Sequence, residues 1–222
     1  MDLSLFLQSL LTSESPLLPP DWLAQLYRAL SWGLVLATAG FSLLPRKQRT
    51  TRWGVFGVLL LWNLWPGPVS PAYWLGLAFQ SPSLASSLLC VLVVGSRTDE
   101  AAPRPGLALT AGLGVVLGWL LLLDTLALLP LGLYALGFSP AAVVVPGLVA
   151  AALWLSSSAA GRRHALWLAA VLTLYVLTRL PNGNLWDALL DPWLWLMLQF
   201  GWLWRGLRWL SVARRGAAAT RA

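Results

Sequence analysis

The sequence predicts an all-α polytopic membrane protein with about seven transmembrane helices in a single integral membrane domain. Of its 222 residues, 58% are hydrophobic and only 10% are charged, and the mean hydropathy is +0.71. The apolar residues form long runs, and a soluble protein of this size has too small an interior to bury them. A lipid bilayer accepts such runs as the outer surface of helices.

The predicted helices begin and end at prolines, at capping residues or at basic clusters. Asp21 is the expected N-cap of the first helix, and the basic residues after Leu44 end it. The second helix reaches only to the residue before Pro66, which gives about 20 Å of rise against a hydrocarbon core of about 30 Å. The seven predicted spans are residues 21–44, 53–65, 71–94, 106–129, 140–158, 165–180 and 192–210.

Three helix starts share one pattern, a capping residue followed by proline at the first helical position. They are Ser70-Pro71, Ser139-Pro140 and Asp191-Pro192. Inside the third helix, Pro82 should interrupt the hydrogen-bond ladder and free a carbonyl. The turn sequence at 181–184 predicts the end of the sixth helix, and a short interfacial helix should follow at 185–190.

The basic residues set the predicted orientation. Of the fifteen Lys and Arg residues, all except Arg28 and Arg179 lie at the same face of the membrane in the predicted topology. Because cytoplasmic loops carry the excess of Lys and Arg, we expect the N-terminus outside and the C-terminus in the cytoplasm. Residues 1–11 are expected to form a short amphipathic segment at the outer surface rather than a signal peptide. Residues 96–105 should form a flexible cytoplasmic loop, and the predicted location is a plasma membrane, the inner membrane of a bacterium.

Several classes of site are disfavoured by residue counts. The single cysteine, Cys90, excludes an internal disulfide, and the single histidine, His164, argues against a zinc or bis-histidine haem site. The net charge of +7 is explained by the basic loops rather than by nucleic-acid binding. We therefore expect no cofactor, no metal, no nucleic-acid partner and no catalytic residue, with the lipid bilayer as the main partner.

Two segments of the chain resemble each other, residues 184–195 (NLWDALLDPWLW) and residues 63–74 (NLWPGPVSPAYW). Both open with Asn-Leu-Trp, carry proline at the ninth place and close with tryptophan, and both fall at an outer helix junction. Together they suggest a 3+1+3 parallel repeat. This plan resembles that of SWEET-type sugar transporters, whose halves are parallel repeats. The Pro-Gln pair of the wider PQ-loop group is absent, so the resemblance implies an architecture and no site residues.

Ionisable residues inside predicted spans are the strongest functional signals, because hydrocarbon penalises an unpaired charge. Arg28 lies about 10 Å from the outer end of the first helix and Asp124 about 8 Å from the outer end of the fourth. We expect these two to pair. Asp187 and Asp191 are four residues apart and could share a helix face, although a helix cap explains Asp191 better.

The candidate residues for an outward-facing polar and aromatic cavity share a predicted position in the outer half of the membrane. They are Arg28, Asn63, Trp65, Gln80, Asp124, Arg179, Asn184, Trp186 and Asp187.

The sequence leaves three functions open. The first is a small transporter or substrate-binding membrane protein whose ligand is a small molecule, a saccharide or a lipid. The second is a non-catalytic subunit or assembly factor of a larger cell-envelope complex, with membrane-protein partners. The third is a lipid-modifying enzyme that uses the region of Asp187 and Asp191.

Overall fold

The computed structural model describes residues 16–95, 105–156 and 158–219, and these ranges contain helices and no strand. The segment expected at 1–11, nearly all of the loop expected at 96–105 and residue 157 lie outside them. In chain order the helices are α1 (Asp21–Leu43), α2 (Arg49–Asn63), α3 (Pro71–Phe79), α4 (Leu84–Gly95), α5 (Pro105–Thr125), α6 (Leu133–Leu136), a 3-10 helix (Pro140–Val143), α7 (Val144–Leu155), α8 (Ala159–Thr178), α9 (Leu185–Leu189) and α10 (Pro192–Ala219).

Two helices begin earlier than the sequence predicted, because arginine is a good helix former and does not mark a loop by itself. Helix α2 starts at Arg49, and α8 starts at Ala159. The Ser158 hydroxyl caps α8 by accepting a hydrogen bond from the Gly161 amide at 2.8 Å. The basic sequence that follows therefore lies on the first turns of α8 and not in a loop.

The helix predicted over 71–94 is broken into α3 and α4. The break begins at Gln80, whose φ of 62° and ψ of −145° are values that residues other than glycine seldom adopt. The indole of Trp32 donates a hydrogen bond to the Gln80 carbonyl at 2.7 Å, so α1 holds the freed carbonyl. Both half-helices pack against α1.

The core lies where α1, α4, α8 and α9 meet. Helix α1 also packs against α2, while α7 packs against α8 and α10 packs against α5. The buried apolar residues of this core are Tyr27, Leu84, Ala85, Ala142, Val171, Leu172, Tyr175, Leu180, Leu185, Trp186 and Ala188.

The two Asn-Leu-Trp segments have different local structures. Asn63 is the last residue of α2, whereas Asn184 precedes α9 and caps it. The packing differs as well, since α4 lies against α1 but α10 lies mainly against α5. The pairs α1–α2 and α7–α8 match between the halves, and the third members do not. The 3+1+3 repeat thus stays a prediction that only the first two helices of each half support.

The surface of the described residues is apolar to an unusual degree. Large exposed side chains such as Leu61, Leu77, Leu148, Leu177 and Phe200 lie on five different helices, and exposed large hydrophobic residues outnumber buried ones several-fold. Buried polar residues, in contrast, occur throughout the interior: Ser31, Thr38, Asn63, Ser70, Ser83, Ser87, Ser139, Asn184 and Asp191. Soluble monomers rarely expose apolar area on this scale.

Helix α1 is the one helix of the described chain that is long and apolar enough to cross a membrane by itself. The core helix of a soluble protein can pass the same test. Three shorter apolar helical segments, Leu84–Gly95, Ala111–Thr125 and Pro140–Leu155, have between 10 and 17 residues. The described residues therefore form an all-α structure with one helix that is both long and apolar enough to span a membrane, and several shorter apolar helices.

Candidate functional site

A cavity of about 560 Å³ lies between the break in the third predicted helix and the start of α10. Its polar lining comes from α1, from the break, from α6, and from α9 with the loops on either side of it. The residues that line it are Arg28, Gly76, Ala78, Phe79, Gln80, Ser81, Tyr134, Pro181, Asn182, Asp187, Leu190, Asp191, Pro192, Trp193 and Leu196. This cavity brings charged groups of both signs together.

Arg28 provides the positive charge of the cavity. Its side chain lies along α3 at Gly76, where a Cβ atom would clash with the Arg28 Cδ. The space for the arginine therefore exists because residue 76 has no side chain. The Arg28 Nε is buried and has no hydrogen-bond partner among the described residues.

Asp191 joins the N-termini of two helices at the wall of the cavity. Its Oδ1 accepts a hydrogen bond from the Leu194 amide at 2.8 Å, which caps α10 as predicted. Its Oδ2 accepts from the amide and the hydroxyl of Ser83, at 2.9 Å and 2.7 Å, and from the hydroxyl of Ser86. Since four donors surround this carboxylate at the positive ends of α4 and α10, its charge is well compensated.

Asp187 forms the second acidic group of the cavity. Its Oδ2 accepts a hydrogen bond from the Tyr134 hydroxyl at 2.7 Å and from the Asn182 amide at 2.5 Å. Burial and the neighbouring Asp187 carboxylate raise the pKa of the Tyr134 phenol, so Tyr134 stays a neutral donor. The tyrosine thus connects the short helix α6 to α9.

The predicted pair of Arg28 and Asp124 is wrong. The Asp124 carboxylate instead accepts hydrogen bonds from the backbone amides of Leu131, Gly132 and Tyr134, each at 2.8 Å. The reason is local, because the chain turns back after α5 and its free amides converge on the nearest carboxylate. Asp124 shapes the loop that carries Tyr134 and does not reach the cavity.

Three of the nine sequence-predicted candidates line the cavity, namely Arg28, Gln80 and Asp187. The other six, Asn63, Trp65, Asp124, Arg179, Asn184 and Trp186, are not among its lining residues.

Most of these six have a structural role instead. Asn184 is buried, and its side chain accepts from the Trp186 amide at 2.9 Å and donates to the Tyr134 carbonyl at 3.0 Å. The Trp186 indole donates to the Leu133 carbonyl at 2.6 Å. Arg179 ends α8 in a left-handed conformation, with its guanidinium 5.2 Å from the Tyr175 ring centroid.

The two remaining candidates lie at the junction of α2 and α3. Asn63 is buried at the end of α2, where its amide nitrogen donates to the Leu59 carbonyl at 2.8 Å. Trp65 projects outward with 65% of its side chain exposed.

Sequence reasoning missed Tyr134 and the serines that contact Asp191. Ser83 and Ser86 follow Pro82 in a proline–serine pattern that is typical of a helix start, and this signal could have predicted the N-terminus of α4. Nothing in the sequence around Tyr134 predicts its bond to Asp187, which is 53 residues away.

The described residues contain no group of three His, Cys, Asp or Glu side chains that could hold a metal ion. Comparisons with protein-family models, with curated proteins and with solved structures find no match to this chain.

Proposed function

We propose that this chain is a polytopic integral membrane protein that binds a small polar ligand in an outward-facing cavity, as a small transporter or a substrate-binding protein does. The single observation that carries the proposal is the cavity around Arg28, Asp187 and Asp191 in an otherwise apolar helical protein. Ionisable groups in membrane-spanning segments are costly and therefore mark ligand or ion pathways.

The distribution of polarity supports the membrane part of the proposal. Apolar side chains cover the outside of the helices while serine, threonine and asparagine are buried, which is the reverse of a soluble protein. The short helices are compatible with a membrane as well. Helices α3 and α4 together supply about 30 Å of rise, the thickness of the hydrocarbon core, although neither spans it alone.

The orientation follows from the ends of the helices. Helix α1 is followed by the basic segment at 46–52, and Arg162 and Arg163 lie near the start of α8. The opposite end of α8 leads into Pro181 and Asn182, which line the cavity. With the basic ends in the cytoplasm, the cavity faces outward.

Two single-cysteine variants test the proposal in a Cys90→Ala background. Ser81→Cys lies in the cavity, whereas Leu77→Cys lies on the outer surface of α3 with 62% of the native side chain exposed. A charged methanethiosulfonate added outside intact cells should modify Ser81→Cys and spare Leu77→Cys, because a thiol surrounded by lipid does not ionise. Modification of Leu77→Cys would contradict the membrane assignment, and an unreactive Ser81→Cys would contradict the outward cavity.

A subunit of a larger envelope complex is the second candidate, and one observation favours it. Helices α5 and α10 form an apolar depression of about 420 Å³ lined by Val115, Trp202, Leu203, Gly206 and Leu207 with Gln199. A membrane partner helix could occupy it. Purification in a mild detergent distinguishes the candidates, since a subunit should retain stoichiometric partner chains and a transporter should not require them.

The lipid-modifying enzyme has the least support. Both acids on which it depends accept hydrogen bonds from neighbouring residues, Asp187 from Tyr134 and Asn182, and Asp191 from two serines. These hydrogen bonds give both carboxylates a structural role.

A further inference from the structure

We infer that the ligand of the cavity carries an oxyanion, a carboxylate or a phosphate group, that pairs with Arg28, and that an apolar part of the same ligand packs on Phe79 and Trp193. The inference rests on the proposed function and names the chemical class of its ligand.

The charged side chains of the cavity differ in how many hydrogen-bond partners they have. The Asp191 carboxylate has four hydrogen-bond donors and the Asp187 carboxylate has two. Arg28 differs from both, because its buried Nε has no acceptor among the described residues. Arg28 is therefore the charged residue of the cavity lining that has an unpaired donor among the described residues, and an acceptor with negative charge would match its cationic guanidinium best.

The position of the Arg28 guanidinium also favours an anionic ligand. Arg28 is seven residues into α1, about 10 Å from its outer end, where a charge without compensation is expensive. Gly76 provides the room in which the side chain reaches the cavity. A planar guanidinium carries parallel N–H groups, which match the two oxygens of a carboxylate or a phosphate.

One wall of the cavity is apolar. Phe79 and Trp193 both line the cavity, with ring centroids 5.2 Å apart at an interplanar angle of 75°. Leu190 and Leu196 lie beside them in the same lining. This edge-to-face pair adds apolar surface to a cavity that also contains a cation, so the site fits an amphiphilic anion better than an inorganic one.

Calorimetric titration of the purified protein in dodecyl maltoside tests the inference, because this detergent contains no phosphate. The probes are phenyl phosphate, dihexanoyl phosphatidic acid and inorganic phosphate, with phenol and dihexanoyl glycerol as neutral counterparts. At least one of the two amphiphilic anions should bind about tenfold or more tightly than its neutral counterpart, and more tightly than inorganic phosphate. Binding of phosphatidic acid alone would identify a lipid headgroup as the source of the oxyanion, and binding of phenyl phosphate alone would identify a soluble anion.

Four variants assign the effect to Arg28. Arg28→Gln should weaken anion binding by about tenfold or more, and Arg28→Lys should weaken it less because the charge remains. Gly76→Ala keeps the charge but displaces the side chain, so it should weaken binding as well. Arg179→Gln is the matched control, since it removes an arginine outside the cavity and should leave affinity unchanged. Thermal unfolding shows that each variant is folded.

Three results would overturn the inference. The first is equal affinity for the anions and their neutral counterparts, and the second is full anion affinity in folded Arg28→Gln. The third is binding of a neutral sugar such as methyl glucoside, lost in Gln80→Ala, with no binding of any anion; this result would keep the proposed ligand cavity and reject the oxyanion. Failure of the proposed function itself is seen separately, as an unreactive Ser81→Cys.

Discussion

Gln80 is one of the described residues other than glycine that have a positive φ. Its φ of 62° with ψ of −145° lies in a region that glycine occupies freely and other residues do not. We expect Gln80→Gly to raise the free energy of unfolding by about 1 kcal/mol, because the strain disappears. Gln80→Ala is the control, as it removes the same side chain but keeps the strain. The midpoint of thermal unfolding in detergent should rise for glycine alone, and an equal response of both variants would argue against stored strain.

Three helix starts that look alike in the sequence differ in the structure. Ser70 accepts a hydrogen bond from the Ala72 amide at 3.2 Å and Asp191 accepts one from the Leu194 amide, but the buried Ser139 hydroxyl has no partner among the described residues. The prediction that Ser139 caps its helix by a side-chain bond is therefore wrong. The sequence pattern determines where a helix begins, and the surrounding fold decides which way the hydroxyl turns.

These differences predict that alanine lowers the free energy of unfolding at Ser70 and Asp191 but not at Ser139. Ser70→Ala should cost about 0.5–2 kcal/mol of unfolding free energy, and Asp191→Ala should cost more, because Ser83 and Ser86 lose their acceptor too. Ser139→Ala should be neutral or stabilising, since it removes a buried hydroxyl without a partner among the described residues. Thermal midpoints of the three variants provide the measurement, and a loss at Ser139 as large as that at Ser70 would contradict this account.

At the scale of elements, the packing of α5 against α10 depends on glycine. A Cβ atom at Gly118 would clash with the Trp195 Cδ1, and the Trp195 indole donates to the Val115 carbonyl at 3.2 Å. Gly118→Val should therefore displace Trp195 and cost about 1–3 kcal/mol beyond the effect of valine on the helix itself. Gly147→Val on α7 is the matched control, because a Cβ atom at Gly147 would meet no described atom within 4 Å. Unfolding midpoints that shift equally in both variants would show that the contact is unimportant.

Helix positions were predicted better from the sequence than helix ends. Runs of apolar residues between prolines place α1, the two halves around Pro82 and α9 correctly, because proline ends a helix by its own chemistry. The starts of α2 and α8 were placed too late, since a basic residue is compatible with a helix as well as a loop. The sequence did not predict the short helix α6. Asp124 holds the loop before α6 by accepting hydrogen bonds from its amides, but in the sequence it was interpreted as the partner of Arg28.

The cavity is assembled by contacts between residues that are far apart in the sequence, and the sequence does not reveal these contacts. Arg28, Gln80 and Asp187 could be selected because polar residues in apolar runs are rare. Their grouping with Tyr134 and Asp191 depends on contacts such as that between Ser83 and Asp191, which are 108 residues apart. Periodicity and capping rules describe neighbours along the chain, so they predict the members of such a site without predicting which of them meet.

Single cysteines can test the proposed topology, and the structure indicates which positions suit them. Neither Gly183, in the loop after α8, nor Gly161, in the first turn of α8, suits a cysteine: Gly183 has a φ of 86°, and a Cβ at Gly161 would lie 2.6 Å from the Leu153 carbonyl oxygen. Leu131 lies instead in the loop that follows α5, with 64% of its side chain exposed. Gln48 and Ala159, both exposed, mark the opposite ends of the helices.

We expect Leu131→Cys in the Cys90→Ala background to react with an impermeant maleimide added to intact cells. Gln48→Cys and Ala159→Cys should react only after the membrane is permeabilised, because the arginines beside them hold these ends in the cytoplasm. Reaction of Ala159→Cys in intact cells with protection of Leu131→Cys would invert the topology and turn the cavity of Arg28 toward the cytoplasm. Reaction of all three only after lysis, in the soluble fraction, would show that the apolar surface is covered by a partner rather than by lipid.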